Sequence, residues 1–140
     1  KKISSEYGRQ AIIAGIDILE NKKSFKIVKG KERTELKIHV KDYVKKIDSI
    51  GAGEILFNFV NRDGMMKGVN INLLKYLSKL TKTPTICLGG IGNLQHMCDV
   101  FKNTSCDAIA CSSVFHFADN NPIRARSYLK NNGIIQRTIK

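Results

Sequence analysis

Four places along this chain carry residue types capable of chemistry, and each stands at the end of a short apolar run. Asp17 closes the run Ala11 to Ile16. A carboxylate there is costly unless it is solvated, paired or used. It is either a structural Asp bound to nearby backbone N–H groups or a general acid or base. Asn61, Asp63 and Gly64 follow the run Glu54 to Val60. Gly89-Gly90-Ile91-Gly92 follows Thr85 to Leu88. Glycines there let backbone N–H groups approach an anion closely, and a helix starting just beyond adds its positive end. A tight turn without a ligand is the plain alternative. Ser112 and Ser113 close the run Asp107 to Cys111 with hydroxyls and N–H groups, and there the plain alternative is Ser113 as a cap for the next turn. Carboxylates at two ends, with glycine or hydroxyl at three, suit an anionic ligand combined with acid–base chemistry.

Several other chemistries find no support. Gln95 stands where the third glycine of a dinucleotide-binding fingerprint belongs. No glycine-flanked elbow presents Ser112 or Ser113 to His116 as a nucleophile, and His116 is expected to pack beside Phe115 and Phe117. Neither the three histidines nor Cys87, Cys98, Cys106 and Cys111 follow a metal-ligand or redox spacing. No metal site and no cofactor are therefore expected, and the cysteines read as buried free thiols of a cytoplasmic protein. The net charge is +12, which favours anionic partners. The basic residues are mostly lysines, spread along the chain without alternating aromatics, so neither nucleic acid nor a membrane is expected as a partner. No apolar run reaches the roughly 18 residues of a membrane span. The absence of an initiator Met suggests a start inside a longer gene product.

The elements that must position these residues alternate between buried strand and amphipathic helix. Residues 11–17 predict a buried parallel strand with Asp17 as its polar tip. Phe25 to Val28 and Leu36 to His39 flank Gly30-Lys31 and predict a small hairpin. Val40, Tyr43, Val44, Ile47 and Ile50 recur at helical spacing, and Gly51 to Gly53 leads from that helix into the strand at Glu54. Asn70 caps a helix with Ile71, Leu73, Leu74, Leu77 and Leu80 on its apolar face. Pro84 opens the third strand, and Met97, Val100 and Phe101 mark a short helix behind it. The fourth strand is Asp107 to Cys111, and the last helix runs from about Pro122 to Gly133. Four successive β-then-α units in one uninterrupted domain, residues 1–140, form either a doubly wound sheet or half of an eight-stranded barrel. Both put the ligand beyond the carboxyl ends of the strands.

At these strand ends the chain resembles the cyclase subunit family of imidazole glycerol phosphate synthase. The residues that carry the likeness are Gly8 to Asp17, Gly51 to Leu56, Arg62-Asp63-Gly64, Gly89-Gly90 with Gly92, Ser113 to Phe117, and Ser127 to Ile134. They resemble the fifth to eighth strand segments of that family, in order. The resemblance implies an α/β fold, the C-terminal half of a (β/α)₈ barrel, whose N-terminal half-barrel is a separate segment. It implies a cyclase/lyase of histidine biosynthesis that takes ammonia from a partner glutaminase subunit. With it, a bisphosphorylated ribulosyl-aminoimidazole intermediate becomes imidazole glycerol phosphate and an aminoimidazole carboxamide ribotide. Asp17 then matches one of two catalytic carboxylates, and Asp63, Gly64, Gly89, Gly90, Ser112 and Ser113 match the phosphate site.

The chain departs from the family pattern at Asn61, Leu88 and Thr34-Glu35. These changes point to substrate handling and fit a paralogous branch that amidinates surface sugars. A half-barrel that only binds phosphate, or a gene fragment, is the alternative from outside enzymology. With the second carboxylate in the other half, the isolated chain is expected to be inactive.

Overall fold

The computed structural model describes residues 2–21 and 24–137. A short helix, α1 (Lys2–Tyr7), precedes β1 (Ile13–Glu20), which continues into a hairpin of β2 (Phe25–Lys29) and β3 (Thr34–Glu35). Three helix–strand pairs follow: α2 (Val40–Ile50) and β4 (Glu54–Phe59), then α3 (Ile71–Ser78) and β5 (Thr85–Leu88), then α4 (Leu94–Asn103) and β6 (Ala108–Ala110). The one-turn α5 (Ser113–His116) and α6 (Pro122–Asn131) end the described chain. The six strands form one sheet in the order β3-β2-β1-β4-β5-β6. β1, β4, β5 and β6 are parallel sequential neighbours, and the hairpin is antiparallel.

Period-two alternation decides which face each side chain occupies. Ile16 and Ile18, then Ile55, Phe57 and Phe59, then Cys87 point to the buried face. There they pack with Val44 and Ile47 of α2, Leu74 and Leu77 of α3, Met97 and Val100 of α4, and Leu129 of α6. Every long helix after the hairpin thus lies on one face, and the parallel strands keep chain order. A doubly wound sheet needs helices on both faces and a reversal of strand order. The arrangement is therefore that of half a (β/α)₈ barrel, an α/β fold with the helices outside. The other face carries Asp17, Leu56, Asn58, Ile86 and Leu88, only partly buried, and Ile13 is 56% exposed.

Asparagine side chains start the helices that lead out of the strand ends. Asn70 accepts from the Leu73 N–H, Asn93 from His96 and Asn121 from Arg124. Pro122 fills the first turn of α6, where a missing N–H costs nothing. Two sequence expectations shift in detail. Residues 9–11 form a 3₁₀ turn, and β1 runs from Ile13 three residues past Asp17, because Asp17 to Glu20 pair with β2. Asp17 is therefore not the tip of its strand. In the hairpin, the partner of β2 is Thr34–Glu35 and not 36–39, tied by a 2.6 Å ion pair from Lys26 to Glu35.

Candidate functional site

Register brings the predicted residues to one rim. Asp17 pairs with Asn58, Asn58 with Leu88 and Leu88 with Ala110. Asp17, although inside β1, stands level with the carboxyl ends of β5 and β6. It is half-buried, and its Oδ1 accepts a 2.8 Å hydrogen bond from Asn58 Nδ2.

Asp63, Gly64, Gly89, Gly90, Ser112 and Ser113 line one narrow cleft at the ends of β4, β5 and β6. All six phosphate candidates therefore meet, while Asp17 stands on the rim outside that cleft. Three strand spacings of about 4.8 Å separate β1 from β6, which is roughly 14 Å. The cleft's walls are local consequences of sequence. Beyond β4 the chain turns tightly, with the N–H groups of Arg62 and Asp63 both on the Phe59 carbonyl. This presents Asp63 and Gly64 to solvent. The carbonyl of Ser112 accepts from Phe115 and His116 and turns the chain into α5. The first N–H groups of that turn then have no acceptor within the helix. Cys111 also lines the cleft; burial pushes its thiol above the ordinary cysteine range, so it stays neutral and is a poor nucleophile.

Gly90 and Gly64 differ in what a side chain would meet. At Gly90 (φ +94°) a Cβ would run into the Gly68 carbonyl, because the Gly68 N–H bonds to the Gly90 carbonyl at 2.8 Å. The glycine there is required by the close approach of two loops. At Gly64 (φ +72°) a Cβ would meet nothing within 4 Å.

The loop over the cleft is held through Glu20, which the sequence did not single out, by Arg62, Asn61 and Asn70. Glu20, with its side chain 7% exposed, takes Arg62 bidentately at 2.8 and 2.9 Å. Asn70 Nδ2 adds a third donor at 3.3 Å, and Arg62 reaches on to the Gly68 carbonyl at 3.1 Å. Asn61 donates to the Glu20 carbonyl and accepts from the Glu20 N–H. That bridge needs one donor and one acceptor on a single side chain, which an amide has and a carboxylate lacks. The departure at Asn61 therefore serves the fold, contrary to the expectation of altered substrate handling. Glu35, another departure, is the ion-pair partner of Lys26. His116 is exposed, its ring centroid 6.4 Å from that of Phe117, which is itself 79% exposed; the two rings meet at the surface and not in the core.

Cys87, Cys98 and Cys106 are buried free thiols, and burial pushes Cys87 well up and Cys106 up from the usual range. Among the described residues no group of three or more His, Cys, Asp or Glu is placed to hold a metal ion, and no helix is long and apolar enough to cross a membrane.

The family model described as histidine biosynthesis protein matches residues 1–121. Among curated proteins, the chain is similar to the imidazole glycerol phosphate synthase subunit HisF of Bacillus pumilus, 35% identical over 91% of this chain and 52% of the relative. The subunits of the same name from Pelodictyon phaeoclathratiforme and Chlorobium limicola are 32% and 30% identical, over 97% and 95% of this chain and 54% and 53% of the relatives. The chain spans about half the length of the curated relatives it matches.

Proposed function

The chain belongs to the histidine biosynthesis protein family, and we propose that it is the C-terminal half, residues 1–140 as one domain, of the cyclase barrel of imidazole glycerol phosphate synthase. In this reading the complete barrel is a lyase. It uses ammonia from a glutaminase subunit to convert the bisphosphorylated ribulosyl-aminoimidazole intermediate into imidazole glycerol phosphate and aminoimidazole carboxamide ribotide. The observation that carries it is the meeting of Asp63, Gly64, Gly89, Gly90, Ser112 and Ser113 in one cleft, with Asp17 on the same rim. A phosphate held by backbone N–H groups at Gly90 and Ser113 leaves the rest of an extended substrate to run across the inner face. Roughly 14 Å along that rim it meets Asp17, which exchanges the proton. The net charge of +12 favours a doubly anionic substrate.

The sheet's edges support the need for a first half. Of β1, β2 covers only Asp17 to Glu20, so Ile13 to Ile16 have no strand on that side among the described residues. β6 is the opposite edge. Both edges and the half-exposed inner face are what the strands of an N-terminal half-barrel would cover. The test is ammonia-dependent turnover of the intermediate by this chain paired with a matching first half. Equal amounts of the two products are expected, and their absence from a folded complex would remove the assignment.

The phosphate seat has its own test. Gly64→Leu places a side chain in open space at the cleft and strains the backbone by about 1–2 kcal/mol. It should weaken binding of inorganic phosphate or a sugar phosphate by about tenfold or more while the chain stays folded. Gly90→Ala should instead lose the fold through its clash with Gly68. Amide shifts of Ser112 and Ser113 under phosphate titration, with thermal melts alongside, read both effects. Unchanged affinity in Gly64→Leu would place the phosphate elsewhere.

A further inference from the structure

The geometry points to Asn58 as the positioning residue of Asp17, an inference that rests on reading Asp17 as the acid–base carboxylate. The two residues are partners in adjacent parallel strands, and Asn58 Nδ2 donates to Asp17 Oδ1 at 2.8 Å. An ionised carboxylate only accepts, so the amide must turn its NH₂ toward Asp17 and its Oδ1 away. Turned away, that Oδ1 is buried with no hydrogen-bond partner among the described residues. Flipping the amide offers no relief, since it would set two acceptors face to face.

As a packing residue Asn58 is a poor choice. An apolar β-branched side chain suits a parallel strand better and leaves no orphaned acceptor. As a clamp it is well suited, because it occupies one carboxylate oxygen and fixes the plane of the group. The other oxygen, Oδ2, has no partner among the described residues. The assignment therefore extends to atoms: Oδ1 is held by Asn58, and Oδ2 exchanges the proton with the ligand. Locking the carboxylate in this way lowers the entropy of reaching the reactive geometry, an advantage realised in turnover and not in ground-state binding.

The test compares Asn58→Val with Asn58→Thr in the completed barrel. Thr and Val share a shape and both suit a strand, but only Thr keeps a donor for Asp17. Asn58→Val should lose about 100-fold in kcat with KM nearly unchanged, and Asn58→Thr should recover most of it, to within about tenfold of the parent. Asn58→Val should also be no less stable than the parent, since it removes the orphaned acceptor; a purely structural role would move stability instead of kcat. Equal kcat for the two variants overturns the inference. If Asp17→Asn is inactive while Val and Thr behave alike, only the role of Asn58 fails. Full activity in Asp17→Asn removes the reading on which it rests. Independent of turnover, one side-chain amide proton of Asn58 in this chain should be displaced downfield and slow to exchange. An Asn58 amide indistinguishable from a solvated one would also overturn the clamp.

Discussion

Replacing Asp17 by Asn in the completed barrel is expected to lower ammonia-dependent turnover by about 1,000-fold while phosphate binding stays nearly intact. The substitution keeps the size and shape of the side chain and removes only its ability to take up and release a proton. An amide at position 17 still finds a hydrogen-bonding neighbour in Asn58, so the strand pairing of β1 and β4 is not threatened. The residues lining the cleft at the ends of β4, β5 and β6 do not include Asp17 or its side-chain partner Asn58, so an uncharged replacement of the same shape leaves the cleft's own contacts in place. A loss confined to kcat therefore separates the proton-transfer group from the phosphate seat. The unpaired chain should make no product in the same assay. Cyclisation asks one group to accept a proton and another to give one, and a single carboxylate cannot readily do both in one geometry. Steady-state kinetics on the reconstituted barrel and on the chain alone check both statements. Full activity in Asp17→Asn, or robust turnover by the chain alone, would overturn the catalytic role.

How much of this was legible in the sequence depends on whether the signal was local. Short apolar runs followed by glycine, hydroxyl or carboxylate placed three of the four parallel strands to within a residue or two, and put the cleft residues at strand ends. The Asn cap at Asn70 and the Pro122 start of α6 were equally readable, since each depends on residues a few positions apart. Composition left barrel and doubly wound sheet unseparated; strand order and the one-sided helices decide it. The upper half of β1 was missed for a specific reason. The three residues beyond Asp17 are strand because β2 pairs with them, and such pairing is non-local. With the strand ended at Asp17, the alternation Ile16, Ile18, Glu20 went unread, although it sets Glu20 on the buried face. Asn58 was hidden in the same way. Its alternation with Phe57 and Phe59 puts it on the inner face, but only the register of β1 against β4 makes it the neighbour of Asp17.

Glu20 is the side chain on which that hidden part of the structure depends, and Glu20→Ala should destabilise the chain by about 3 kcal/mol. Removing the carboxylate leaves Arg62, only 30% exposed, without the bidentate partner that offsets its desolvation. It also takes an acceptor from the Asn70 amide, which caps α3. Because a small domain has only about 5–15 kcal/mol in total, the loss should show as a clear fall in the urea midpoint. The effect should also reach the cleft. Arg62 holds the Gly68 carbonyl, and the Gly68 N–H holds the carbonyl of Gly90. Freeing Arg62 loosens the segment that carries Asp63 and Gly64, so phosphate affinity should fall at urea concentrations where the chain is still folded. The double replacement Glu20→Met with Arg62→Met removes both charges together and should recover most of the stability, since an apolar pair of similar volume carries no desolvation penalty. It should not recover phosphate affinity, because the link from Arg62 through Gly68 to Gly90 is absent. A Glu20→Ala unfolding free energy within about 1 kcal/mol of the parent would mean that the pair behaves as a solvated surface bridge, and the loop would then need another anchor.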